Sequence, residues 1–369
     1  MAKIYGFVAE FNPFHNGHKQ FIDQIRKKYH PDVLIAVMSG NFVQRGDFAV
    51  LNKHLRAQTA VENGVDLVVE LPFVQTVQPA NIFAESAIQI LRQIGITDLV
   101  FGTEAEMDFP QLARRVIIEQ MEFKQDFTHS YAENLHQQLL QIGVDTANKP
   151  NQLLGLNYTT AIEKKGYPIK VHSLLRTQDG FSATKIRQSL GSQDWSNIVD
   201  MVPQGTYDLL RSQKIITWND FYPFLRYKIL TNTTNELQLM YQMVEGLNFK
   251  LKKEISRTDD FEKLLFSVKS KRYTLARIRR LLMYVLINVD NKEMISALTQ
   301  TYLRILGFSD TGQQYLHQQK KNFNIPLITK VGQSEHNLMN LELRADSVYQ
   351  LVNHEEQNFG VIPYIKGEN

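Results

Sequence analysis

Two histidines, His15 and His18, stand three residues apart around Gly17 in the string Ala9-Glu10-Phe11-Asn12-Pro13-Phe14-His15-Asn16-Gly17-His18. Imidazoles donate and accept protons and hydrogen bonds near neutral pH. With Gly17 letting the backbone approach closely, both rings can point at the same phosphates. There they can stabilise negative charge developing on a phosphorus oxygen. The same spacing also suits a metal pair or plain surface residues. No carboxylate stands at metal-ligand spacing within the loop, so the reading assigns no metal to it. The run Asn12-Pro13-Phe14 stiffens the loop, as a preorganised site requires.

Such a string works only if flanking elements present it. Ile4–Ala9 is a short apolar run that reads as a strand. His18–Tyr29 reads as an amphipathic helix with Phe21, Ile22 and Ile25 on one side. Val33–Met38, Asp66–Glu70 and Asp98–Gly102 read as further strands. Leu55–Asn63 and Ala80–Ile94 read as helices, each stopped by a glycine. Continuous apolar strands alternating with helices predict a parallel sheet covered on both faces. In such a sheet ligands bind beyond the carboxyl ends of the strands. A helix N-terminus there offers amides and partial positive charge to phosphate.

Residues 106–145 read as mainly helical. A loop over Asn148–Leu154 then precedes a helix over Gly155–Lys165 and a strand over Ile169–Leu174. A helix start follows over Ser182–Ser189, with Ser182 as its cap. Residues 204–315 read as helix-rich, with helical periodicity in Phe221–Leu230, Glu236–Leu247 and Arg277–Val289. Pro326–Lys330 and Phe359–Ile365 are expected as strands of a small terminal unit. A boundary near Met201–Gln204 divides the chain into 1–202 and 203–369.

At 369 residues, 43% hydrophobic and 21% charged, the chain can bury a core in each region, which excludes extended disorder. It has no cysteine, so disulfide scaffolds, thiolate metal sites and cysteine nucleophiles are excluded. The N-terminus lacks the apolar core of a signal peptide. No run approaches the length of a membrane span, and the best, Leu281–Val289, is far too short. The chain therefore reads as cytoplasmic, with no membrane partner. Its net charge of +3 is uneven. Residues 201–369 hold 22 Lys/Arg against 17 Asp/Glu, so a polyanion surface belongs in the second half. Within it, Lys269–Arg280 packs six cations and a tyrosine into twelve positions. Leu275, Ile278, Leu281 and Leu282 would anchor that stretch as a helix. Its cations, among them Lys271, Arg272, Arg277 and Arg280, suit an RNA backbone, although charge runs are often plain solvated faces.

The string Glu10–His18 resembles the tRNA(Met) cytidine acetate ligase family, within the HxGH nucleotidyltransferase superfamily that includes class I aminoacyl-tRNA synthetases. The strings Ser39–Gly46, Phe101–Glu104, Pro150–Gly155 and Phe181–Arg187 resemble it too, in the same order. Together they cover about the first 190 residues, and Arg272–Leu281 extends the likeness less distinctively.

The resemblance implies a Rossmann-like α/β nucleotidyltransferase domain followed by a helix-rich C-terminal region. It implies an ATP-dependent ligase that activates acetate as acetyl-adenylate, releases pyrophosphate and acetylates N4 of the wobble cytidine of elongator tRNA(Met). Mg²⁺ would accompany the nucleotide. The implied ATP-binding positions are Val8, Ala9, Glu10, Phe11, Asn12, Pro13, Phe14, His15, Asn16, Gly17, His18, Gly102, Asn151, Arg176 and Lys185, with His15 and His18 catalytic.

Some of these positions have physical roles of their own. Gly102 would end its strand without obstructing an adenosine. Asn151, after a proline, would supply a fixed amide. Arg176 would offer a permanent cation. Of Lys185 and Arg187, at least one is expected on a phosphate. Arg45, Lys53 and Arg56 read equally as residues at the mouth of the site or as solvated charges. Glu104 reads equally as a ribose or nucleophile partner or as a helix-cap acid. The residues alone leave two other functions open. One is a small-molecule adenylyltransferase, which would not need the basic second half. The other is a non-catalytic RNA-binding protein, which would need neither histidine.

Overall fold

The computed structural model describes residues 2–118, 136–137, 139–140, 149–176, 180–244 and 246–367. Ten strands appear in chain order: β1 Ile4–Ala9, β2 Val33–Ser39, β3 Phe42–Val43, β4 Asp47–Phe48, β5 Leu67–Leu71, β6 Asp98–Thr103, β7 Lys170–Leu175, β8 Leu303–Phe308, β9 Leu327–Ile328 and β10 Tyr364–Ile365. The helices of the first half are α1 Asn16–Tyr29, α2 Lys53–Glu62, α3 Phe73–Thr76, α4 Ala80–Gln93, α5 Phe109–Ile118, α6 Pro150–Lys165, α7 Ala183–Gly191 and α8 Ser196–Val199. Those that follow are α9 Gln204–Ser212, α10 Trp218–Thr231, α11 Thr234–Gln238, α12 Leu247–Ile255, α13 Phe261–Val268, α14 Leu275–Ile287, α15 Asn291–Leu298, α16 Asp310–Gln319 and α17 Asn340–Asn353. The expected helical stretch 106–145 is described as α5, and most of its remainder lies outside the described residues.

The main sheet runs β10-β8-β5-β2-β1-β6-β7, with β9 beside β8. Strands β5, β2, β1, β6 and β7 are mutually parallel. Side chains alternate across it, as the two-residue period demands. Val33, Ile35 and Val37 pack with α4 and α6 in one core. Leu34, Ala36 and Met38 pack with Ile22, Ile25, Ala57 and Ala60 of α1 and α2 in another. The chain winds outward from β1 through β2 to β5, then returns to place β6 on the other side of β1. The switch point thus falls between β1 and β6, where ligands bind in open α/β sheets.

Four expectations are corrected. The terminal strands form no small unit of their own. β8 pairs antiparallel with β5, and β10 pairs with β8, so the end of the chain completes the first sheet. β8 was not anticipated: it lies within the stretch read as helical. The helix expected over Glu236–Leu247 is absent for most of its length: α11 ends at Gln238, and α12 begins only at Leu247, after Gly246 in a left-handed conformation at φ 75°. Helix α6 starts at Pro150, inside the expected loop, with proline at its first position.

The helical half has its own core, built on Trp218, Phe221, Phe261, Leu282 and Tyr284. The β3–β4 hairpin enters it: Phe48 stacks on Phe221 at 3.9 Å, and Trp218 donates Nε1–H to the Gly46 carbonyl at 3.0 Å. No helix among the described residues is long and apolar enough to cross a membrane.

Candidate active site

The loop between β1 and α1 opens at the switch point, and neighbouring elements hold it from three sides. Asn12 accepts the Val50 amide at 2.8 Å and donates to the Phe48 carbonyl at 3.3 Å. Arg56 donates to the Glu10 carbonyl at 2.6 Å, to Ser39 at 3.0 Å and to Gly40. Helix α7 and the residues after α8 strap the third side. Arg187 donates to the Asn12 carbonyl at 2.7 Å, and the Asn16 side chain donates to Asp200 at 2.9 Å. The Asn16 amide donates to the Met201 carbonyl at 2.8 Å, so the first of the helix-end amides is already occupied.

This frame sets the two histidines face to face. Their rings stack with centroids 3.6 Å apart and planes 20° from parallel. The His15 backbone amide donates to His18 Nδ1 at 3.2 Å. That bond places the His18 proton on Nε2, which is left as an N–H donor. His15 Nδ1 is buried and has no hydrogen-bond partner among the described residues. Gly17 leaves room for this stack: a Cβ would stand 3.0 Å from His15 Cε1 and 3.3 Å from Phe181 Cβ, pressing on the ring.

Burial pushes the His15 pKa down to about 4, and the Arg176 and Arg187 cations add to this. Burial likewise holds His18 well below the usual range, helped by His15 and Arg176. Both rings are therefore neutral near pH 7 and act as hydrogen-bond donors rather than cations.

The other expected positions divide by burial. Val8, Ala9, Glu10, Asn16 and Gly17 are half-buried along the loop, while the side chains of Phe11, Asn12, Pro13 and Phe14 are buried beneath it. Phe11 and Phe14 pack against His18, so they support the ring from below. Glu10 accepts the Gln44 amide at 2.8 Å, and burial raises its pKa. Gly102 is the second-last residue of β6, at the same crevice. The space above it is held by Arg176, whose Cγ would lie 3.2 Å from an added Cβ. Arg176 and Lys185 are exposed. Asn151 donates to Glu104 at 2.6 Å, and the amides of Asn151 and Gln152 also reach Glu104, at 3.3 and 3.0 Å. Glu104 is thus the cap of α6, and Asn151 is fixed by it.

Lys53 and Arg56 are neither at a mouth nor solvated: both are buried. Lys53 Nζ lies 2.7 Å from Glu70 and 2.5 Å from Asp346, with Glu342 at 3.8 Å and Arg304 3.2 Å from Glu70. The three carboxylates could surround a metal ion. The lysine ammonium already stands among them and supplies the positive charge. These partners lie up to 293 residues apart in the chain, and nothing local in the sequence joins them.

The basic stretch is split by its own helix. Lys271 and Arg272 are exposed in the turn before α14. Arg277 is half-buried, with its guanidinium 4.4 Å from the centroid of the Tyr273 ring. Tyr273 is itself buried, so the tyrosine is a support and not a base platform. Arg280 is only 8% exposed, which removes it from a surface made for RNA. The N-terminal half of α14 also approaches the loop. A Cβ on Gly46 would stand 2.4 Å from the Arg280 amide, and the Arg279 cation opposes the rise that burial imposes on the Asp47 pKa.

Comparison with known proteins bears on this geometry. Residues 2–360 match the family described as HIGH Nucleotidyl Transferase. The tRNA(Met) cytidine acetate ligase of Lactobacillus helveticus is 39% identical over 379 residues, spanning 98% of this chain and 99% of that protein. The protein of the same name from Latilactobacillus sakei is 37% identical over 98% of this chain and 97% of its own length. The crystal structure of Thermotoga maritima TmcAL bound with alpha-thio ATP matches with a TM-score of 0.87 at 29% identity. The match covers 98% of this chain and 99% of that one.

Proposed function

The chain belongs to the tRNA(Met) cytidine acetate ligase family, and on that premise we propose how its residues carry out the family's reaction. It is an ATP-dependent ligase that activates acetate and acetylates the wobble cytidine of tRNA(Met). In the first step an acetate oxygen attacks the α-phosphorus of ATP. The bond to the β-phosphate oxygen breaks, pyrophosphate leaves, and acetyl-adenylate remains. In the second step the cytidine N4 amine attacks the acetyl carbon, AMP leaves with the bonding electron pair, and the amine loses a proton. The amine is a weak nucleophile, so the activated acyl group supplies most of the driving force. The base must leave its stack to reach the site.

The observation that carries the site assignment is the stacked neutral pair His15–His18 over Gly17 at the β1–α1 junction. His18 Nε2–H donates to the oxygens that gain charge as pyrophosphate departs. His15, stacked on that ring, is the second imidazole of the site. Arg176 and Lys185 neutralise the triphosphate, and Gly102 borders the adenosine. Mg²⁺ is carried on the phosphate oxygens themselves, which it prefers. The lysine-filled acid cluster at Glu70 is not its site. ATP chemistry thus belongs to residues 1–202 and RNA contact to the helices beyond. The reaction runs in the cytoplasm, where tRNA and ATP meet.

The deciding measurement is mass analysis of nucleosides from bulk tRNA incubated with the protein, ATP and acetate. N4-acetylcytidine appearing only with all three supports the reading, and its absence overturns it. A small-molecule adenylyltransferase would instead release pyrophosphate with no change in the RNA.

A further inference from the structure

Two aromatic rings that the core does not use lie beside the exposed basic turn. Phe249 of α12 is 64% exposed and Phe266 of α13 is 59% exposed. Both helices bury other apolar residues, so these two rings are surplus to folding. The two helices that carry them meet at one point. Lys250, next to Phe249, donates through Nζ to the carbonyls of Val268 at 2.9 Å and Lys269 at 3.3 Å. That clamp ties the start of α12 to the end of α13, the turn that carries Phe266. Lys253, one helical turn after Phe249, is exposed, and so are Lys269 and Lys271. Glu262, the acid at the other end of α13, is paired with Arg279 at 3.3 Å.

We propose that this surface binds the unpaired nucleotides beside the target cytidine in the anticodon loop. The inference rests on the reading of tRNA as the substrate. Bases stack on exposed aromatic rings while lysines hold the phosphates, the combination that single-stranded RNA requires. The position fits. Helix α14 runs from this turn to Arg280, whose amide abuts Gly46, and the same hairpin is bonded to the nucleotide loop through Asn12 and Phe48. The stretch of helix from the turn to Arg280 is about 10 Å long, the rise of about three stacked nucleotides. A second copy of the chain fits less well, because a two-fold interface would set the lysines against one another.

The test uses the full chain and an anticodon stem–loop RNA with a wobble cytidine, with binding read by fluorescence anisotropy. The Phe249→Ala, Phe266→Ala double variant should bind the stem–loop about tenfold or more weakly. Phe249→Trp with Phe266→Trp, which keeps stacking faces, should bind like the parent. Matching thermal midpoints of the variants and the parent exclude unfolding as the cause. Unchanged affinity in the alanine variant overturns the proposal. So does unchanged affinity together with loss of concentration-dependent self-association, which would assign the rings to a dimer. So, too, does equal weakening of both the alanine and tryptophan variants. If the parent itself binds no tRNA, the functional reading fails along with this one.

Discussion

His15 and His18 are unusual among surface-loop histidines in being neutral by construction. Replacing either with Ala should slow acetate-dependent pyrophosphate exchange by roughly a hundredfold, or about 2.7 kcal/mol, while ATP affinity changes less. The double variant should lose less than the product of the two, because both act on one phosphate group. Between pH 6 and 8 neither ring changes charge, so neither should add an inflection to the exchange rate. Stability behaves differently. The folded pKa of His15, about 4, lies below the unfolded value of 6.5, so the unfolded chain binds more protons between them. The stabilisation is complete above pH 6.5 and is lost as pH falls towards 4, at up to about 1.4 kcal/mol per pH unit. A His15→Gln variant lacks that titration. Its urea midpoint should fall less steeply than the parent's from pH 6.5 to 4; parallel curves would refute the assignment. The sequence made this pair legible, because the spacing and the glycine are local. It left Glu104 undecided, since the helix that Glu104 caps begins 46 residues further on.

At the level of elements, the basic stretch divides into an exposed turn and a buried helix face, and the two halves should respond differently. Lys271→Gln with Arg272→Gln should reduce the slope of log affinity for tRNA against log salt by roughly 1.5, as expected for about two phosphate contacts. Arg280→Gln should leave that slope alone and lower the urea midpoint, because Arg280 is packed at the Gly46 hairpin. An unchanged slope in the first variant would move the RNA surface elsewhere. Helix α14 itself was readable from its apolar period. What the period could not convey is which cations on it face inward, since that depends on the β3–β4 hairpin packed against it from the other half. The same reason hides β8. In Leu303–Phe308 the apolar run is broken at its second position by Arg304, which looks solvated in sequence and is buried against Glu70 and Asn358.

For the whole molecule, the first half announced its parallel sheet because each strand–helix unit is contiguous. β8 was not legible, and neither was the place in the main sheet of the strand expected over Phe359–Ile365, because their partners lie far back in the chain. Val68 pairs with Gly307, and Phe308 pairs with Ile365. A chain ending at residue 302 should therefore leave β5 with an unpaired edge and Glu70 without Arg304. We expect it to aggregate, or to lose cooperative unfolding, rather than persist as a separate ATP-binding domain. A soluble fragment with a sharp thermal transition and parent-like ATP affinity would refute this.

The lysine at the centre of the buried charge cluster has a further consequence, one for biosynthesis. Lys53 and Glu70 emerge from the ribosome early, whereas Asp346 follows Lys53 by 293 residues. At 5–20 residues per second that interval is roughly 15 to 60 s. Throughout it the nascent chain carries an ammonium that cannot be sealed inside and a sheet with one open edge. Closure of the charge cluster thus waits on Asp346, so a chain interrupted before that residue lacks one of the carboxylates that Lys53 contacts.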